Sequence, residues 1–248
     1  MSLENTMDKL FEMRLSTMAR TLRDQSEDRS FTTMSFDERF SMLVDAEWDT
    51  RRLNKRMRLL RTANFSEPSA NIADIRFDPD RKLCRDQIEK LARCEWIREG
   101  LNLIITGSTG SGKSWLSCAL GVCAANNFLS VRYIRLPQLL EELALARETD
   151  KYSRWQNRFI KCDLLIIDDW LLVTLSENDC REVLEIVEAR QNQSSTLLCS
   201  QYAPAGWHTK LGEGAIADAV IDRLVYSSHT IHISGDESMR KRTSRLDN

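Results

Sequence analysis

The chain has 248 residues, 42% of them hydrophobic and 29% charged, with a formal net charge of −2 and a pI of about 6.0. That length suits one large domain or one domain with a small appendage, and the apolar fraction is enough to bury a sizeable core. The charge balance excludes a strongly basic nucleic-acid-binding domain, so contact with phosphates would have to come from local patches. The seven cysteines, at 84, 94, 118, 123, 162, 180 and 199, include no Cys-x-x-Cys pair, and there are only three histidines, so no zinc framework is recognisable. Several of the cysteines sit in apolar runs and read as buried free thiols, which implies a reducing compartment. Met1 to Leu22 lacks a signal-peptide core and no apolar stretch approaches transmembrane length, so the expected location is cytoplasmic.

Residues 1–63 contain neither glycine nor proline. Phe11, Leu15, Met18 and Leu22 recur at helical spacing, as do Phe36, Phe40, Leu43, Val44 and Trp48. The pattern predicts two amphipathic helices with a polar break at 25–33, the second opened by a Ser35/Glu38 capping box and running to about Arg61. A small helical domain over 1–63 follows. The second helix ends in Arg51, Arg52, Lys55, Arg56, Arg58 and Arg61, with no acid among them. Such a run is compatible with a solvated helix face or with a phosphate-contacting surface. Residues 64–80, with Pro68 and Pro79, read as a linker.

From 81 to 248 helices and short apolar strands alternate. Helices are predicted over 83–98, 115–126, 137–147, 152–160, 177–191 and 216–225. Strands are predicted over 101–106, 130–135, 163–167, 196–200 and 230–233. That order implies an α/β fold, a central parallel sheet with helices on both faces.

Between the first strand and the following helix lies Gly107-Ser108-Thr109-Gly110-Ser111-Gly112-Lys113-Ser114, a match to Gly-x-x-x-x-Gly-Lys-Ser/Thr in its confirming context. Glycines let the backbone turn its N–H groups toward phosphate oxygens, and the helix start adds a positive dipole end. Lys113 is placed to reach the β- and γ-phosphates of ATP, and the Ser114 hydroxyl to ligate Mg²⁺. The apolar run 164–167 ends in Asp168 and Asp169, at the strand's carboxyl end, where open parallel sheets bind ligands. Asp168 is the candidate metal-side acid, and Asp169 is placed to orient or deprotonate the attacking water.

With these motifs the sequence resembles the AAA+ ATPases, and within them the DnaC-type helicase loaders and, more closely, the IstB-type helpers of insertion-sequence transposition. The resemblance covers about 10–242. It is carried by Phe36-Asp37-Glu38-Arg39 with Glu47-Trp48, Glu95-Trp96-Ile97, the phosphate loop, Ile166 to Trp170, Cys199-Ser200-Gln201, Ile221-Asp222-Arg223-Leu224, and Gly235 to Arg242. It implies a P-loop AAA+ domain behind an N-terminal helical domain. Ser200 and Gln201 fall at the family's first sensor, Arg223 at its arginine finger, and Arg240 at a candidate second sensor. A finger acting in trans implies a homo-oligomer with ATP at subunit interfaces. The resemblance further implies ATP-dependent assembly on duplex DNA in the service of a transposase, with slow, DNA-stimulated hydrolysis. The alternatives are a DnaC-like helicase loader and an ATP-binding scaffold with negligible turnover. Two departures bear on catalysis. Asp-Asp replaces the Asp-Glu usual in AAA+ proteins, a pairing common in the IstB-type group that implies slow hydrolysis rather than none, and Leu171 stands where relatives usually carry glycine, which is expected to disturb the loop after the acids.

Overall fold

The protein is described here by a computed structural model covering residues 2–149, 151–235, 238 and 239. It divides into two compact units, Met1–Arg58 and Leu59–Asn248.

The first unit contains α1 (Leu3–Glu12), α2 (Ser16–Glu27), a 3₁₀ turn over Arg29–Thr33 and most of α3 (Phe36–Ala63). The single helix expected around Phe11–Leu22 is therefore two. Arg14 sits in the left-handed region at φ 60°, and the chain reverses there without a glycine to announce it. The Ser35/Glu38 capping box forms as expected: the Glu38 N–H donates to Ser35 Oγ at 3.3 Å, and the Ser35 N–H to Glu38 Oε2 at 2.8 Å. Glu47 performs a similar task at a distance, accepting the N–H groups of Thr17 and Met18 at 2.9 and 3.0 Å. A carboxylate there complements the positive end of α2. Met7, Leu10, Ala19 and Leu43 form the small core, whereas Phe36, Phe40, Val44 and Trp48 are exposed.

In the second unit, residues 64–80 are packed onto the core: Ala70 and Ile75 are buried in it, with Phe65, Ile72 and Phe77 against its edge. There follow α4 (Arg85–Ala92), α5 (Glu95–Arg98), β1 (Asn102–Gly107), α6 (Lys113–Asn126), β2 (Val131–Arg135), α7 (Leu136–Glu148), α8 (Tyr152–Ile160), β3 (Leu164–Trp170), α9 (Glu177–Arg190), β4 (Ser195–Ser200), α10 (Trp207–Lys210), α11 (Gly214–Val225) and β5 (Ser228–Ile233). The helix expected over 83–98 breaks at Cys94, again a non-glycine at φ 60°. The five strands are parallel, in the order β2-β3-β4-β1-β5. Alternate residues of each strand face opposite sides. Leu103, Ile105 and Ile166 join a core with Ile88, Leu116 and Leu120, while Ile104, Leu165 and Ile167 join one with Leu139, Phe159 and Val183. Arg190 is buried at the end of α9, where its guanidinium donates to the carbonyls of Phe159, Ile160, Cys162 and Ser195. No helix among the described residues is long and apolar enough to cross a membrane.

Candidate nucleotide-binding site

β1 delivers the chain to the carboxyl edge of the sheet, and the phosphate loop fills the gap before α6. Gly107, Gly110 and Gly112 have φ of 155°, 78° and 94°. At Gly107 a Cβ would lie 2.5 Å from the Ile233 carbonyl oxygen and 2.9 Å from Ser111 Oγ, so glycine is required there on space as well as on conformation. The first-turn N–H groups of α6 have no intrahelical acceptors and constitute an anion site. Ser111 Oγ is buried without a hydrogen-bond partner among the described residues, and Ser114 is half-buried. The Lys113 ammonium folds back onto the loop, donating to the carbonyls of Gly107 and Ser108 at 2.8 Å each. Burial lowers its pKa, against the opposing pull of Cys199, Asp168 and Asp169. A mobile cation, an orphaned hydroxyl and a glycine cradle at a helix start together fit a polyphosphate. The Ser114 hydroxyl and the Asp168 carboxylate are hard oxygen donors of the type Mg²⁺ takes.

β3 brings its acids to the same edge. Asp168 is buried, and both its oxygens are engaged: Oδ1 accepts the Asp169 N–H at 2.9 Å, and Oδ2 accepts the Tyr133 hydroxyl at 2.7 Å. Asp169 adopts φ 52° within a register shift between Ile167 and Trp170, which turns its side chain out of the strand's alternation. Its carboxylate pairs with the Arg135 guanidinium, Nε to Oδ2 at 2.5 Å.

The expected sensor residues separate. Ser200 is buried, and its hydroxyl donates to the Trp170 carbonyl at 3.0 Å and accepts the Tyr202 N–H at 3.1 Å, so it ties β4 to β3. Gln201, next in the chain, is exposed. Arg223 lies at the other end of the sheet. Its carbonyl accepts from the side chain of Asn102, the first residue of β1, whereas the phosphate loop leaves from Gly107, the last. A six-residue strand spans about 20 Å, so Arg223 does not reach the phosphate loop of its own subunit. Its guanidinium contacts Glu188 at 2.7 Å and the Ala219 carbonyl at 3.0 Å. Arg240, and the rest of the tail beyond Met239, lie outside the described residues.

Three side chains that no motif reveals complete the site. Tyr133 and Arg135 both come from β2. Arg81, buried, donates to the carbonyls of Ser111 at 3.1 Å and Arg76 at 2.6 Å and so braces the loop from outside. Only the strand order places β2 beside β3, and the sequence contains no local sign of that neighbour.

A family model described as "IstB-like ATP binding protein" matches residues 8–247. A protein of Sinorhizobium fredii named as an insertion sequence ATP-binding protein is 37% identical over 97% of this chain and 97% of its own. One named for insertion sequence IS21 of Pseudomonas aeruginosa is 26% identical over 98% of this chain and 90% of its own. Among solved structures, AMPPCP-bound DnaA from Aquifex aeolicus superposes with a TM-score of 0.59 at 19% identity, covering 71% of this chain and 54% of that one. The DnaC helicase loader superposes with a TM-score of 0.55 at 19% identity, covering 66% and 97%. These likenesses show the AAA+ fold. From its sequence match over nearly the whole length, the chain belongs to the IstB-like ATP-binding protein family.

Proposed function

We propose that this ATP-binding protein is a slow AAA+ ATPase that assembles on duplex DNA as a homo-oligomer and helps a transposase select and use target DNA. The observation that carries the assembly reading is the separation of Arg223 from the phosphate loop across the length of β1. A charge-neutralising arginine so placed serves a neighbour's site, which makes bound nucleotide part of a subunit interface.

Within one subunit, Lys113 exchanges its two loop carbonyls for the β- and γ-phosphates. Ser114 and Asp168 would hold a Mg²⁺ ion, which when bound would neutralise phosphate charge. Asp169 orients the attacking water and accepts its proton at the carboxylate. Arg223 of an adjacent copy contributes positive charge at the transition state, the role that in GTPases is worth roughly 10³ to 10⁵ in rate. The shorter aspartate at 169 and its ion pair with Arg135 both favour slow turnover. The insertion-sequence names of the relatives support the transposition reading over the loader reading that the DnaC likeness suggests.

The test is electron microscopy of the protein with duplex DNA in ATP, in ADP and without nucleotide, with Lys113→Ala in parallel. Ordered assemblies are expected only for the parent with ATP, and Lys113→Ala should lose nucleotide binding altogether. Unchanged ATP affinity in that variant would sink the loop assignment. Tighter ATP-dependent binding to single strands than to duplex would instead support the helicase-loader reading.

A further inference from the structure

β2 brings a tyrosine beside Asp168. Tyr133 is opposite Ile166 in the β2–β3 register, so its ring reaches diagonally to Asp168. The phenol is buried and donates to Asp168 Oδ2 at 2.7 Å.

A carboxylate's terminal torsion is soft, so a lone aspartate presents its lone pairs in a range of directions. Here Asp169 N–H and Tyr133 OH restrain one oxygen each. We infer that Tyr133 is a positioning residue for the metal-side acid. The inference rests on the assignment of Asp168 as the magnesium-side acid.

The test measures binding of a fluorescent ATP analogue as Mg²⁺ is titrated, for the parent, Tyr133→Phe and Asp168→Asn. Partners of a metal ligand typically contribute about tenfold or more in metal affinity. Tyr133→Phe should therefore need about tenfold more Mg²⁺ for half-maximal effect, with the metal-free nucleotide affinity unchanged. A purely structural role would lower both affinities together. If Asp168→Asn abolishes the Mg²⁺ effect while Tyr133→Phe leaves it at the parental value, the positioning role is overturned. If Asp168→Asn keeps the parental Mg²⁺ response, the assignment of Asp168 falls and the inference falls with it.

Discussion

Leu171 adopts φ 55°, a conformation glycine accepts freely and leucine resists by roughly 1–2 kcal/mol. The side chain is completely buried among the residues on one face of the sheet. Removing a buried leucine side chain typically costs about 2–5 kcal/mol, more than the backbone strain returns. Leu171→Gly should thus lower stability by about 2 kcal/mol in urea unfolding. Leu171 is a packing solution that keeps the left-handed turn after the acids. Arg135 works in the opposite sense on activity. Its ion pair with Asp169 is partly exposed, with side-chain exposures of 59% and 26%, and such pairs hold about 1 kcal/mol. Arg135→Gln should release the carboxylate and raise DNA-independent ATP hydrolysis about fivefold in a steady-state assay. Lys113, Ser114, Asp168 and Asp169 are readable from sequence because each residue type is dictated by the loop or strand end that carries it. Tyr133, Arg135 and Arg81 are not, because their roles arise from the pairing of β2 with β3 and from packing outside the loop.

Helix α3 shows the same limit at the level of an element. Its capping box and its span to Ala63 follow from local chemistry. The apolar periodicity at Phe36, Phe40, Val44 and Trp48 implies a buried face, yet these side chains are exposed, by 76%, 47%, 43% and 59%. Periodicity identifies a face that avoids water and says nothing about whether its partner lies in the same chain. Phe36 stacks on Phe40 at 5.8 Å and Arg52 lies over the Trp48 ring, partial shelter for a surface suited to a subunit or partner contact. Farther along α3, Arg52, Lys55 and Arg56 precede the buried Ala63. Reversing these three charges should weaken duplex binding and reduce the slope of log affinity against log salt by about 3 units, roughly 0.9 for each lost phosphate contact. Fluorescence anisotropy across a salt series provides the measurement. An unchanged slope would return the run to a solvated face. The hidden breaks at Arg14 and Cys94 have a common cause: both are left-handed turns made by residues that carry no turn signature.

At the scale of the whole molecule, the proposed function has Arg223 and the phosphate loop, at opposite ends of β1, completing one active site between two copies. A Lys113→Ala subunit retains a working finger, and an Arg223→Ala subunit retains a working loop. Each variant alone should be inactive in DNA-stimulated hydrolysis, and an equimolar mixture should recover part of the parental rate through composite interfaces. No recovery on mixing, with both variants folded, would place the finger's action within one chain. The strand order β2-β3-β4-β1-β5 has a consequence of another kind. β1 begins at Asn102, but its two neighbours begin at Ser195 and Ser228, near the far end of the chain. During synthesis at about 5–20 residues per second, this strand, buried along its whole length in the folded protein, waits several seconds or more with both edges bare. The phosphate loop therefore acquires its supporting sheet last, and the nascent chain must be kept from pairing with its neighbours on the polysome until β5 has emerged.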